Sequence, residues 1–362
     1  MTNHRLPEDL TPADARGCAD WFTRYTPFIQ AETRRQIAYK RRMWPDVPDG
    51  AHAKYTNHTY PHILPDSDWR LNLFAPIAAQ AEAYLRAENI EIHSEKANLR
   101  SSQFACLNVL FPLRLNLDAA RAFLAPCLPG VRRVLSVEFE VTGNDDALAF
   151  MGDPPGGKRG ANRTSIDAVV EWLNDTHDTP QTKPHCTFIE WKYTEEGFGS
   201  CGGYASKGNP NPRVCETLDP LKNPVASCYL ASGASSRVRR NYWKHTPPTW
   251  LTALAGATGC PFRGPLYQLW RQRLLADHFA STGRYSSVNL VAVHWSANAS
   301  LADVPPALRG AAQPKETVGQ LWNRATGGFT ELPIEALLRA YDDAPTSQLS
   351  EWREYVRERY GV

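Results

Sequence analysis

Hydrophobic positions fall at helical spacing in the first quarter of the chain and at alternate positions in its middle. Over residues 12–43, Trp21, Phe22, Tyr25, Phe28 and Ile29 share a helical face, and Pro27 is expected to kink or break the run. Residues 45–67, rich in Pro, His, Asp and Tyr, read as loop. Leu71, Leu73, Ile77, Ala81 and Leu85 predict a second helix over 69–87. Ser101-Ser102-Gln103 can cap a third, running through Phe104, Leu107, Val109 and Leu110, and a short helix is expected at 118–127. The period then changes. In 131–142 (VRRVLSVEFEVT), Val134, Ser136, Glu138 and Glu140 alternate with Leu135, Val137, Phe139 and Val141, the pattern of a strand. Segments 164–172 and 186–193 read as a second and third strand. Residues 200–262, rich in Gly, Pro, Ser and Cys, show little periodicity. A helix resumes at 265–279 with Pro265 in its first turn, a fourth strand fits 286–295, and helices are expected near 334–341 and 347–359.

The order helix, three strands, insert, helix, strand predicts an α/β (α+β) core. We divide the chain into an N-terminal helical region (1–95), a core (96–300) with a Cys/Gly/Pro-rich insert (196–262), and a C-terminal helical tail (301–362). With 42% hydrophobic and 22% charged residues among 362, the chain can bury a large core, which excludes a disordered, coiled-coil or collagen-like protein. Lys and Arg (40) nearly balance Asp and Glu (38), so net charge says nothing about a polyanionic partner. The start, MTNHRLPEDL, has no apolar signal region, and no apolar run approaches the roughly 20 residues that cross a bilayer. A soluble cytoplasmic protein is expected. There, eight Cys read as free thiols or metal ligands rather than a disulfide frame.

The chemistry concentrates on two strands. Glu190 and Lys192 are two residues apart, so both leave one face of the third strand, while Ile189, Trp191 and Tyr193 leave the other. Asp167 sits among apolar neighbours in Ile166-Asp167-Ala168-Val169-Val170. If the two strands pair, Asp167 lies beside Glu190. Adjacent carboxylates repel, and a divalent cation such as Mg²⁺ removes that cost. A neighbouring Lys can orient a water or offset charge on a phosphate. An isolated E-x-K reads equally as a cross-strand ion pair; the apolar-bounded Asp167 favours a site.

Asp167 followed by Glu190-Trp191-Lys192 resembles the PD-(D/E)XK phosphodiesterase superfamily, whose restriction-endonuclease-like core has the order αβββαβ. The resemblance covers about residues 100–295. It implies that Asp167 and Glu190 bind Mg²⁺ or Mn²⁺, that Lys192 is the catalytic lysine, and that the protein is a nuclease acting on DNA, with RNA open and bacterial defence a fitting role. Ile166 stands where many members have Pro, a position that varies widely. The first core helix has no acid at its start; Gln103 could take that role, or Glu138 or Glu140 from the first strand. Tyr267-Gln268 resembles a Gln/Tyr feature that some members carry on the helix after the third strand. SSQ, the D…ExK pair and the YQLxR helix also resemble a family of bacterial restriction-endonuclease-like proteins. The rival reading is a non-catalytic nucleic-acid or protein-binding module on the same fold. A homodimer or a partner protein is compatible with either.

Other clusters qualify the picture. Cys201, Cys215, Cys228 and Cys260 could hold a structural Zn²⁺ or an iron–sulfur cluster, but the lack of any C-x-x-C pair favours independent buried thiols. Cys18, Cys106, Cys127 and Cys186 read as core. Arg237, Arg239, Arg240, Lys244 and His245, interleaved with Tyr242 and Trp243, form a candidate nucleic-acid surface, to which Tyr267 and Gln268 add. Arg34, Arg35, Lys40, Arg41 and Arg42 form a second basic cluster. Gly156-Gly157-Lys158-Arg159-Gly160 lacks P-loop spacing and reads as a hairpin tip.

Overall fold

The computed structural model describes residue 22 and residues 24–362, except 54, 161, 175–181, 205, 220, 234–238 and 345–348. Helix α1 (Pro27–Met43) begins at the proline, not before it: Pro27 occupies the first turn, where its missing N–H costs nothing, and Thr26 Oγ1 accepts the Ile29 N–H at 3.4 Å. The expected helix upstream falls largely outside the described residues. The loop expected at 45–67 contains a two-stranded antiparallel ribbon, β1 (Gly50–His52) and β2 (Tyr55–Tyr60), in polar sequence without alternation. Only α2 (Ala78–Ala87) of the helix expected at 69–87 is α-helical. Residues 66–72 and 75–77 form 3₁₀ turns, because Pro76 interrupts the hydrogen-bond ladder.

The core opens with α3 (Ser102–Leu115), buried from Gln103 to Leu113, and α4 (Leu117–Leu124). There follow β3 (Arg133–Val141), α5 (Asp145–Met151), β4 (Ile166–Leu173) and β5 (His185–Trp191). After an insert containing only one- and two-turn helical pieces come α6 (Leu266–Ser281), β6 (Ser287–His294), α7 (Val318–Thr326), β7 (Phe329–Pro333), α8 (Ile334–Asp342) and α9 (Ser350–Tyr360). Five strands form one sheet in the order β3-β4-β5-β6-β7, antiparallel from β3 to β5 and parallel from β5 to β7. The sequence α3-β3-β4-β5-α6-β6 is the expected α+β restriction-endonuclease-like order. A parallel β5–β6 pair needs a crossover, and the insert with α6 supplies it. β7, α5 and α7 were not legible in the pattern: each is under ten residues, and β7 follows Gly327-Gly328 with little alternation.

Each face of the sheet carries a core. On one face Phe139, Val170, Trp172, Ile189 and Trp191 pack with α3, α4, α8, α9 and residues from the N-terminal region. On the other, Val169, Phe188, Leu290 and Ala292 pack with α6, α7 and the insert, which contributes Trp243, Trp250 and Phe262. Among the described residues no helix is long and apolar enough to cross a membrane.

Candidate active site

The register of three strands brings three carboxylates level. Glu140 of β3 lies between the pairs Phe139↔Ala168 and Val141↔Ile166, which puts it opposite Asp167 of β4. Continuing β4–β5 one residue beyond Ala168↔Ile189 brings Asp167 level with Glu190. Asp167 Oδ2 accepts the Trp191 N–H at 2.7 Å, so the acid is tied to the end of β5. Glu140 departs from strand geometry with φ 48°, a left-handed conformation that costs energy outside glycine and often marks sites. Its backbone is held there by Arg159, which donates to the carbonyls of Glu140 (2.9 Å) and Phe139 (2.7 Å). The glycine-rich loop read as a hairpin tip therefore braces this bend, and its Lys158 pairs with Glu91 at 2.9 Å.

Lys192, just past β5, pairs with Glu190 at 2.6 Å, and both are buried. Helix α6 closes the group from above. Gln268 Nε2 donates to Glu190 Oε1 at 2.6 Å, while Gln268 Oε1 accepts from Lys192 Nζ (3.0 Å) and from the Gly199 N–H (2.9 Å). One turn on, the fully buried Gln272 donates to Glu190 Oε2. Gln103 lies across a small cavity shared with Glu140 and Asp167. It donates to Glu140 Oε1 at 2.9 Å and accepts the His93 N–H at 3.0 Å. Of the alternatives for a third acid, Glu140 faces this cavity; Glu138 instead pairs with Arg114 (2.6 Å) and Tyr84 (2.8 Å).

The electrostatics follow from crowding. Burial, then the charges of Glu190 and Glu140, push the Asp167 carboxyl well above the ordinary carboxylate range, against the pull of Lys192. For Lys192, burial works against the charge, but Glu190, Glu195 and Asp167 outweigh it and raise its pKa. Lys192 is thus a fixed cation, suited to holding a phosphate oxygen or a water rather than to removing a proton. Among the described residues no three His, Cys, Asp or Glu side chains form a ready-made metal group. Mg²⁺ commonly needs only one or two carboxylates with waters and substrate phosphate. The crowded hard-oxygen pair Asp167 and Glu190 fits that requirement.

The remaining expected residues are scattered. Arg237, like Cys18, lies outside the described residues. Arg239 donates to Gly233 O at 3.2 Å, Arg240 pairs with Asp153 at 3.1 Å, and Lys244 is exposed. Tyr242 and Trp243, expected to stack on bases, are instead buried at 1% and 6% exposure, with both rings against Trp270, because the insert uses them as core. The N-terminal basic cluster is also structural in part: Lys40 is buried against Asp49 at 2.6 Å, Arg35 pairs with Glu32 and Arg42 with Glu358. Cys201, Cys215, Cys228 and Cys260 are all buried in the second core; Cys260 N–H donates to Cys215 O at 2.8 Å and Cys201 N–H to Arg263 O at 3.2 Å. None of the seven described Cys forms a disulfide. Gln272 escaped the sequence reading. Its signal is a second amide four residues after Gln268 on an otherwise apolar buried face, a place where polar groups need a reason.

The family described as "Restriction Endonuclease associating with ARP" matches residues 34–361. The chain belongs to this family. The match runs from within α1 almost to the last residue, so residues 34–95 of the N-terminal region, the insert and the C-terminal helices fall inside the family's extent along with the core. Searches of curated proteins and of solved structures return no match.

Proposed function

We propose that this member of the restriction-endonuclease family is a PD-(D/E)XK nuclease that hydrolyses phosphodiester bonds of DNA with Mg²⁺ or Mn²⁺, in the cytoplasm and in the service of bacterial defence. The observation that carries the reading is the buried Glu190–Lys192 pair at 2.6 Å beside an Asp167 crowded by two further acids. Carboxylates held this close repel, and a folded protein has no packing need for them. In this reading Asp167 and Glu190 hold the metal. Gln268 and Gln272 fix the Glu190 carboxylate through both of its oxygens. Lys192 positions the attacking water and offsets charge on the phosphate. A bound divalent ion supplies Lewis-acid polarisation and a more acidic water. Gln103 and Glu140 shape the adjoining cavity. The family's description names association with ARP, and we extend to this chain the need for a protein partner that selects the target.

The test is incubation of the purified protein with supercoiled plasmid in Mg²⁺, Mn²⁺ or EDTA, beside Asp167→Ala and Lys192→Ala. Metal-dependent nicking or linearisation, abolished by both substitutions, is expected. Wild-type protein that folds, is supplied with its partner, binds no metal by calorimetry and does not cut would overturn the reading.

A further inference from the structure

Helix α6 touches more than the carboxylates. Tyr267 and Arg271, four residues apart, sit beside Gln268 and Gln272 and line a separate cavity of about 390 Å³. Its wall also includes Arg240, Asn162, Ser200 and Tyr229, and among the described residues it contains no carboxylate. The Arg271 guanidinium lies 4.8 Å from the Tyr267 ring centre, and its Nη1 donates to Arg163 O at 3.3 Å. Its Nε is buried with no hydrogen-bond partner among the described residues. Arg163 itself is 9% exposed, and its Nη2 likewise has no partner. The acid facing Arg240 and Arg271 is Asp153. It pairs with Arg240 at 3.1 Å, and its oxygens also accept the Tyr242 O–H (2.8 Å) and the Thr164 N–H (2.7 Å). Two guanidinium groups thus face one carboxylate that is already engaged.

Buried donors without acceptors, and buried cations that outnumber the anions beside them, are costly. Such a surplus is retained where an anion completes it, and guanidinium groups match phosphate oxygens in a fork. The cavity also borders the carboxylate site at two points. Ser200, in its wall, follows Gly199, whose N–H bonds Gln268. Asn162 and Arg163 lead into Ser165, whose hydroxyl donates to Glu140 Oε2 at 2.6 Å. We propose that this pocket is a phosphate-binding subsite that receives a backbone phosphate of the nucleic-acid strand next to the phosphate being cut. The assignment rests on the nuclease reading, and it names Arg240 and Arg271 as substrate-holding residues.

The test uses the full chain in EDTA, so that binding is read without cutting. A short fluorescein-labelled duplex is titrated by anisotropy across a salt series. Arg271→Gln is expected to weaken binding about tenfold and to lower the slope of log affinity against log salt by about 1, equally for unrelated sequences. Arg240→Gln should act in the same direction, and it carries the measurement if Arg271→Gln fails to fold by circular dichroism. Folded variants with wild-type affinity and wild-type salt slope would overturn the subsite. A protein that binds through these arginines but, supplied with its partner, binds no metal and never cuts in Mg²⁺ would overturn the nuclease reading and leave a phosphate-binding pocket standing.

Discussion

Two buried polar networks of this protein are built on opposite principles. Beneath α9, Arg359 is fully buried among neutral partners: Nη1 donates to Asn72 O (2.8 Å) and to the Tyr355 hydroxyl (2.7 Å), and Nη2 to Asn72 Oδ1. Its guanidinium lies 5.3–5.8 Å from the ring centres of Tyr39, Tyr355 and Tyr360. Asn108 extends the network to Phe74 and Tyr360. One cation held by dipoles and ring faces pins the C-terminal helix to the N-terminal region. At the ends of β3, β4 and β5 the ratio is reversed: three carboxylates crowd together, Glu190 paired with Lys192 and Asp167 and Glu140 lining one cavity. Burial alone does not mark a site. What separates the two is surplus like charge, which costs stability until something else is bound.

Replacing Lys192 and Arg359 should separate the networks most sharply. Lys192→Ala is expected to lower metal-dependent nicking about a thousandfold while the protein still folds, since Gln268 and Gln272 remain on Glu190. Arg359→Ala should cost about 3 kcal/mol, from unpaired acceptors and a cavity, with nicking per folded molecule retained. Denaturant melts with plasmid assays on both variants check this. An Arg359→Ala protein as stable as wild type would break the contrast.

A smaller effect follows from pH. The Asp167 carboxyl is raised when folded, so its protonated form is favoured in the native state. That contribution to stability is complete below the unfolded value of about 3.9 and is lost as pH rises through the folded value. Asp167→Asn should therefore melt about 3 °C above wild type near pH 8 without metal, and the gain should vanish near pH 4. Mn²⁺ should raise the melting temperature of wild type more at pH 8 than at pH 5, and leave Asp167→Asn unmoved. Differential scanning fluorimetry reads all of these; a gain that persists near pH 4 would show that charge is not its source. The smallest effect is expected from Gln272→Leu, about tenfold in nicking rate, as for a group that orients another ligand. No loss would make Gln272 only a core residue.

Legibility followed length and period. The strands β3 to β6 were visible because alternation over seven to nine residues is a strong local signal. The pair Glu190 and Lys192 was visible for the same reason, since spacing of two on a strand fixes a common face. Glu140 was legible only as one option beside Glu138, because adjacent register and the bend at φ 48° decide which of them reaches Asp167. The basic, aromatic stretch around Tyr242 and Trp243 misled: an insert with little regular structure fills its own core with whatever large side chains it has.

The sequence by itself determined the α+β order of the core, the strand positions of Asp167 and Glu190, and Lys192 beside Glu190 at the end of the same strand. These are set by patterns of hydrophobicity and side-chain direction within a few residues. The tertiary structure alone decided that Gln272 joins Glu190 from a helix eighty-two residues away, that Glu140 faces the cavity, and that Arg240 and Arg271 share a pocket whose lining among the described residues holds no acid. Such contacts depend on register, crossover and packing between segments distant in the chain, and no local pattern encodes the charge balance that results.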